Sequence, residues 1–388
     1  MTIINSLSED IFLNDSTPNV SLKSLDEMLD SIGLAPWMSK VTTVSLPIIN
    51  ILGVVGCSLS AWVFFRKEFV DSIFFYHRLL CLVNIVSLVH NIPACILFSP
   101  RYFPSANTWA IAMFKAYYAF ATIFLFHYCE ILQMGILLAR MKIYSPFVKK
   151  HFKASPPFVS LVFFLLCLII DFPLAFAFKV IYYGDYYYYL NSDINQKSIA
   201  TFFYYGASDF SETKFGKILL GIFGLALNMF GSLVAGVTLN IVSYLKYKQY
   251  ILDRERKDEE IQMRSIAIVQ CSSLGCNEDP QRQLKKLTQK ELNELKAEKN
   301  MFHMIITLCL ISIVSRVIII SGNLYALFFF SVTTVWALVA VCYFMYALVP
   351  AVSIIIFYAF NKLFRKEFKV MLGLNKKKIA ATPNSSSN

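Results

Sequence analysis

The sequence predicts an all-α membrane protein: a seven-transmembrane helix bundle followed by a short amphipathic helix at the membrane surface. Three observations carry this. Hydrophobic residues make up 57% of the chain and charged residues 16%, a balance outside soluble usage. Seven apolar runs reach the roughly 20 residues that a helix needs to cross the hydrocarbon. Roughly three-quarters of the 36 Lys and Arg residues gather in alternate connections, as positive residues do on the cytoplasmic side.

The apolar runs place helices near 42–65, 74–98, 108–140, 157–179, 216–245, 301–325 and 333–360. The last two are nearly continuous from Met304 to Phe360, too long for one helix, and the stretch from Ser321-Gly322-Asn323 to Thr333-Thr334 is the place for a reversal. Basic residues crowd the connections after the first, third and fifth spans and the tail, which puts the N-terminus outside. Residues 1–40 are polar and acid-leaning (Glu9, Asp10, Asp15, Asp26, Glu27, Asp30), without a basic start leading into an apolar core. No cleaved signal peptide is expected, and the first span serves as the signal anchor. The triplets Asn14-Asp15-Ser16 and Asn19-Val20-Ser21 are glycosylation sequons that agree with an outside N-terminus.

The net charge of +11 reports topology rather than nucleic-acid binding, because the basic residues are confined to particular loops. Among the nine cysteines, Cys57, Cys81, Cys95, Cys129, Cys167, Cys309 and Cys342 fall in apolar runs. Cys271 and Cys276 lie in a basic, cytoplasmic-type loop, so no structural disulfide is expected. Residues 246–299 form that loop; Glu291, Leu292, Leu295 and Lys296 suggest that span six continues into it as helix, while Ser272-Ser273-Leu274-Gly275 is flexible by composition. After the seventh span, Phe360, Leu363, Phe364, Phe368, Met371 and Leu372 alternate with Lys362, Arg365, Lys366 and Lys369, the pattern of a basic amphipathic helix on the inner leaflet. The chain thus divides into an extracellular segment 1–40, a bundle 41–360 that includes loop 246–299, a surface helix 361–374 and a disordered tail 375–388.

Several motifs sharpen the class. Leu80-Cys81-Leu82-Val83-Asn84 is followed by Pro93 in span two, and Leu138-Ala139-Arg140-Met141-Lys142-Ile143-Tyr144-Ser145-Pro146 closes span three. Ala297-Glu298-Lys299 opens span six, and Tyr358-Ala359-Phe360 with Phe364-Arg365 ends span seven. This set resembles the rhodopsin-like (family 1, class A) G-protein-coupled receptors over residues 40–375. The resemblance implies that Arg140 matches the Arg of the Asp-Arg-Tyr segment, Glu298 the acidic residue facing it, Asn84 the span-two Asp and Tyr358 the Tyr of Asn-Pro-x-x-Tyr. It implies a signalling switch built on Arg140, Glu298, Asn84 and Tyr358, with an extracellular ligand, a heterotrimeric G protein and membrane lipid as partners at the plasma membrane. The chain departs from the family in several places. Cys57 replaces the span-one Asn, Lys115 the disulfide Cys, Ala139 the Asp beside the Arg, Arg316 the span-six Trp and Ile354-Ile355 the Asn-Pro.

Candidate ligand contacts are Thr122, Glu130 and Arg316. Thr122 holds the place where amine receptors carry an Asp, and span seven has no Lys for a retinal Schiff base, so amine and light readings are disfavoured. Glu130, three residues after His127 on one helical face, needs a partner at its depth, and Arg316 matches it in depth. The tyrosines between Tyr182 and Tyr205 suit either peptide contact or anchoring at the outer interface. The rival reading is a transporter or channel with His90, His127, Glu130, Asp171 and Arg316 along a pathway, against which stands the absence of an internal repeat. No His, Asp and Cys cluster gathers at one loop, so neither an enzyme nor a cofactor or metal is expected. The orientation is tested by epitope tags: one near residue 195 should be reached from outside intact cells and one near 270 only after permeabilisation, and a surface-accessible 270 tag would invert the topology.

Overall fold

The computed structural model describes residues 44–97, 109–189, 197–271, 280–328 and 332–374. Six helices among them are long and apolar enough to cross a membrane: Leu46–Phe64, Ser72–Pro93, Ala110–Tyr144, Pro156–Ala175, Lys214–Arg254 and Lys296–Gly322. The helix Val332–Phe360, whose 29 residues include no charged side chain, follows them. Counting it together with the sharply bent Lys362–Met371 segment gives up to seven spans. Helices are the answer the bilayer imposes, because lipid offers no partner for an open backbone group. These helices are called spans one to seven below.

Local chemistry sets their ends. Pro156 and Pro157 open span four behind Ser155, where a missing N–H costs nothing. The Thr213 hydroxyl accepts from the Gly216 N–H at 2.9 Å and starts span five. At the far end, the Asn361 side chain accepts from the Phe364 N–H at 3.0 Å, capping the surface helix Lys362–Met371. Arg365 folds back to donate to the carbonyls of Tyr358 at 2.9 Å and Ala359 at 2.5 Å. Spans five and six run on to Cys271 and from Pro280, so the described parts of the 246–299 stretch are helical extensions rather than loop. Residues 1–40 with Asn14 and Asn19, the Ser272–Gly275 stretch and the tail 375–388 lie outside the described residues.

The all-α expectation needs one correction. Between spans four and five, β1 (Phe178–Tyr189) and β2 (Lys197–Ala207) pair antiparallel, in register from Phe178 opposite Ala207 to Tyr189 opposite Lys197. The register slips between Tyr182 and Gly184, leaving Tyr183 as an extra residue. Aromatic and β-branched density favours a pleated strand, and that propensity overrides the interfacial-loop reading of the same residues.

Spans one, two, four, five, six and seven form a ring in that order, seven packing back on one, while span three threads the middle against two, four, five and six. Its core contacts include Ile131, Leu132, Ile136 and Leu137, all buried. Where span one ends and span two begins, Phe64, Phe69, Phe74, Phe357 and Phe364 pack edge and face in a cluster that includes His77. Arg78 holds the connection between spans one and two by donating to the carbonyls of Phe64, at 2.8 Å, and Phe69. Arg66 meets Glu367 of the surface helix at 3.4 Å.

Span three packs tightly at Gly135, where an added Cβ would lie 3.0 Å from the Tyr76 ring and 3.1 Å from the Phe163 ring. Both rings would have to give by a few tenths of an ångström to admit a methyl group. Gly135→Ala should therefore lower the unfolding temperature of detergent-solubilised protein, at a cost of about 1–3 kcal/mol. Gly221→Ala, where a Cβ meets nothing within 4 Å, is the control that should not.

Candidate functional site

The interior of the bundle holds ionisable groups that lipid would reject, and their placement defines the site. Span three presents His127 and Glu130 one turn apart; span four contributes Asp171, span five Asn228 and Ser232, and span six Arg316. None is more than 8% exposed. The Arg316 guanidinium Nη2 donates to Glu130 Oε2, to Ser232 Oγ at 2.8 Å and to the Asn228 backbone carbonyl at 3.1 Å. Its face lies 5.0 Å from the centroid of the Phe126 ring, an arrangement that favours a cation. Above it, His127 Nδ1 lies 3.1 Å from Asp171 Oδ2 and 3.3 Å from Asn228 Nδ2, while Asn228 Nδ2 donates to Asp171 Oδ1. Asn228 joins the two halves, its side chain serving Asp171 and its backbone serving Arg316.

The backbone of span five makes that double role possible. Residues Leu220–Gly231 form a π-helix, flanked by helices Lys214–Leu219 and Ser232–Cys271. At its end the Ser232 N–H bonds the carbonyls of Leu227 and Met229 and passes over Asn228. The Asn228 carbonyl accepts from the Ser232 hydroxyl and from Arg316. A wide turn of this kind commonly marks a functional position.

Beneath the ion pair, a cavity of about 30 Å³ opens between spans three, five and six, lined on its polar side by Glu130, Gln133, Ser232, Asn240, Ser312 and Arg316. Room on that scale suits one or two water molecules, not an organic ligand. Arg316 Nε and Asn240 Oδ1, both buried, have no hydrogen-bond partner among the described residues and are the groups that water would serve. No three His, Cys, Asp or Glu side chains among the described residues converge as metal ligands would.

A second polar layer closes the end of the bundle where span three finishes and span six begins. Tyr144 OH and Ser243 Oγ are 2.5 Å apart, and Tyr247 stacks on Phe302 at 3.8 Å. Arg140 Nη2 donates to the backbone carbonyl of Glu298 at 3.4 Å. The Glu298 carboxylate is held instead by span five: Arg254 Nη1 at 3.0 Å and Tyr250 OH at 3.2 Å both donate to its Oε2.

The remaining sequence candidates fall as follows. Thr122 is buried, its hydroxyl without a partner among the described residues. Asn84 is buried and accepts from Cys129 Sγ at 3.1 Å. Tyr358 points out of the bundle, its ring under Arg365 and edge-on to Phe368, and its neighbour Phe357 takes the buried face. The sequence placed His127, Glu130, Asp171 and Arg316 among polar intruders but gave no sign of Asn228 or Ser232, which carry no charge to advertise them.

No family model and no curated protein matches the chain. Among solved structures it is similar to squid rhodopsin, with a TM-score of 0.54 over 87% of this chain and 85% of that one. The chain has a fold like that of squid rhodopsin. At 15% identity the likeness is one of architecture, and the membrane assignment stands on it together with the apolar helices.

The ion pair makes an asymmetric prediction. Glu130→Gln or Arg316→Met alone leaves one charge stranded in lipid-buried protein and should cost about 3–5 kcal/mol, read as lost surface expression. The double variant Glu130→Leu with Arg316→Met removes both charges and should recover most of that loss. Equal losses in singles and double would show that the pair is not the unit.

Proposed function

We propose that the protein is a rhodopsin-like receptor in which an extracellular ligand biases a helix rearrangement that opens the inner ends of spans three, five and six to a heterotrimeric G protein. The observation that carries this reading is the course of span three. Inside a receptor-like fold it bonds to spans four, five and six at the level of His127 and Glu130, and again to spans five and six at the level of Arg140 and Tyr144. Two stacked layers on one rigid helix give a ligand-sensitive level and a partner-sensitive level that move together. Thr122, one turn above Phe126, supplies a buried hydroxyl to the ligand side. Membrane lipid and the plasma membrane, with the N-terminus outside, complete the proposal.

The latch between spans three and six is a composite. Arg140 grips the Glu298 backbone, and the Glu298 side chain is tied to span five through Arg254 and Tyr250. Both ionic partners are partly exposed, side chains 23% and 28% accessible, so the tie is worth about 1 kcal/mol, small for stability but several-fold in a two-state population. Glu298→Ala and Arg254→Ala should each raise ligand-independent G-protein signalling several-fold, and Arg140→Ala should reduce coupling at unchanged surface expression. A second-messenger assay run beside an ion-flux assay reads both outcomes. Wild-type signalling in all three variants, or ion flux without signalling, would remove the receptor reading.

A further inference from the structure

The connection between spans three and four gathers positive charge that the protein itself does not answer. From Ile131 to Ile170 the chain contains no Asp or Glu, while Lys142, Lys149, Lys150 and Lys153 crowd its middle. None of these lysines enters an ion pair among the described residues. Lys142 turns back, its ammonium 4.7 Å from the centroid of the Phe152 ring. Lys149, Lys150 and Lys153 are exposed. Between them and span three runs the short helix Pro146–His151, which buries none of its residues. Phe147 on that helix is 71% exposed, its ring resting on that of His151 with centroids 4.3 Å apart. A bare phenyl ring beside three unpaired ammonium groups fits a surface that is apolar within and anionic at its face.

Depth identifies that surface. Span four runs 20 residues from Pro156 to Ala175, roughly 30 Å at the rise of an α-helix, which is the thickness of the hydrocarbon layer. Its first turn therefore lies at the edge of that layer. Phe158, Leu161, Leu165, Ile169 and Phe172 are exposed along the span at helical spacing, so a lipid-facing stripe begins directly beside the basic connection. Lys153, three residues ahead of Pro156, stands at the level of the headgroups, where the anions are lipid phosphates and carboxylates. The short helix is held there from behind. Val148 packs against Met141, Tyr144, Tyr247 and Phe302, and Phe152 packs on the main core, which leaves Phe147 and the lysines outside the packing.

We propose that the connection between spans three and four is a contact site for anionic phospholipids, in which Lys149, Lys150 and Lys153 pair with the headgroups and Phe147 enters the boundary between headgroups and acyl chains. Each exposed lysine near an anionic surface adds attraction that falls off within a Debye length, and the missing carboxylates leave nothing on this segment to offset it. The phenyl ring adds a contact that salt does not screen. In a cell such lipids are concentrated in the cytoplasmic leaflet, the side to which the basic connections of the sequence assign this end. The site rests on the membrane assignment and stands without the receptor reading.

The test uses the purified full-length chain in phosphatidylcholine nanodiscs doped with brominated phosphatidylserine or, at the same mole fraction, brominated phosphatidylcholine. Phe147→Trp places a fluorescent reporter on the exposed helix, and subtracting the wild-type signal removes the four native tryptophans. Both brominated lipids should quench the new indole, which reports that the ring sits in lipid. Phosphatidylserine should quench it at a lipid fraction on the order of tenfold lower at low salt, and that preference should shrink several-fold at about 0.5 M sodium chloride. Adding Lys149→Gln, Lys150→Gln and Lys153→Gln should bring the two lipids to parity while leaving the unfolding temperature unchanged, since all three side chains are exposed. An unquenched indole would overturn the proposal, as would equal quenching by both lipids in the protein that keeps its lysines, or a serine-lipid preference that survives their removal. Loss of that preference on adding millimolar inorganic phosphate would assign the lysines to a soluble phosphate instead. None of these readouts involves a G protein, so a failure here is separate from a failure of the receptor reading.

Discussion

A guanidinium in the middle of a membrane bundle cannot be left alone, and the arrangement of spans three, five and six follows from that constraint around Arg316. Its Nη2 is served by a carboxylate from one helix and by a hydroxyl and a backbone carbonyl from another, and the face of the Phe126 ring lies against the guanidinium. None of these could be supplied by lipid, and each fixes a different degree of freedom. Glu130 sets the distance between spans three and six, Ser232 and the Asn228 carbonyl set the rotation of span five, and Phe126 limits how far the guanidinium can swing. Buried ionic groups earn little net stability, but they penalise wrong arrangements heavily. Here that penalty selects the registry of three helices.

The central helix then acts as a rigid spacer. From His127 to Tyr144 it carries buried apolar contacts between two polar layers, and the rings of Tyr76 and Phe163 pressed against Gly135 fix its position between spans two and four. A displacement at one layer is carried to the other by packing that has no slack. The small polar cavity beside Gln133 and Asn240 is the exception, lying on the side of spans five and six, the spans that the proposed rearrangement would move.

The membrane class, the placing of the apolar helices and the basic surface helix were legible in the sequence because length, hydropathy and period carry them directly. Glu130 and Arg316 drew attention because charge at depth is rare. Partner choice was another matter. Asp171 was named with His127 only as a residue of a transport pathway, because its partners, His127 and Asn228, sit on helices 44 and 57 positions away, and Asn228 looked like any polar residue in an apolar run. Tyr358 was read from a motif in which a one-residue difference of helical phase decides between core and surface, and Phe357 has the buried phase. Arg254 could not be assigned to Glu298 until span five was known to continue as helix past the membrane. The hairpin was missed because its aromatic residues are equally at home at an interface, and only pairing of two distant segments distinguishes the cases.

The π-helical stretch of span five looks, residue by residue, like ordinary apolar helix. It nevertheless counts turns differently from the rest of the bundle. In an α-helix, each residue added or removed rotates everything beyond it by about 100°, so the length of Leu220–Gly231 sets the azimuth of the remaining span. Shortening this stretch by one residue would leave the composition almost untouched, yet carry Ser232, Gly236 and Asn240 around the helix and away from span six. The frame of span five, rather than any side chain on it, is what keeps these groups turned toward Arg316.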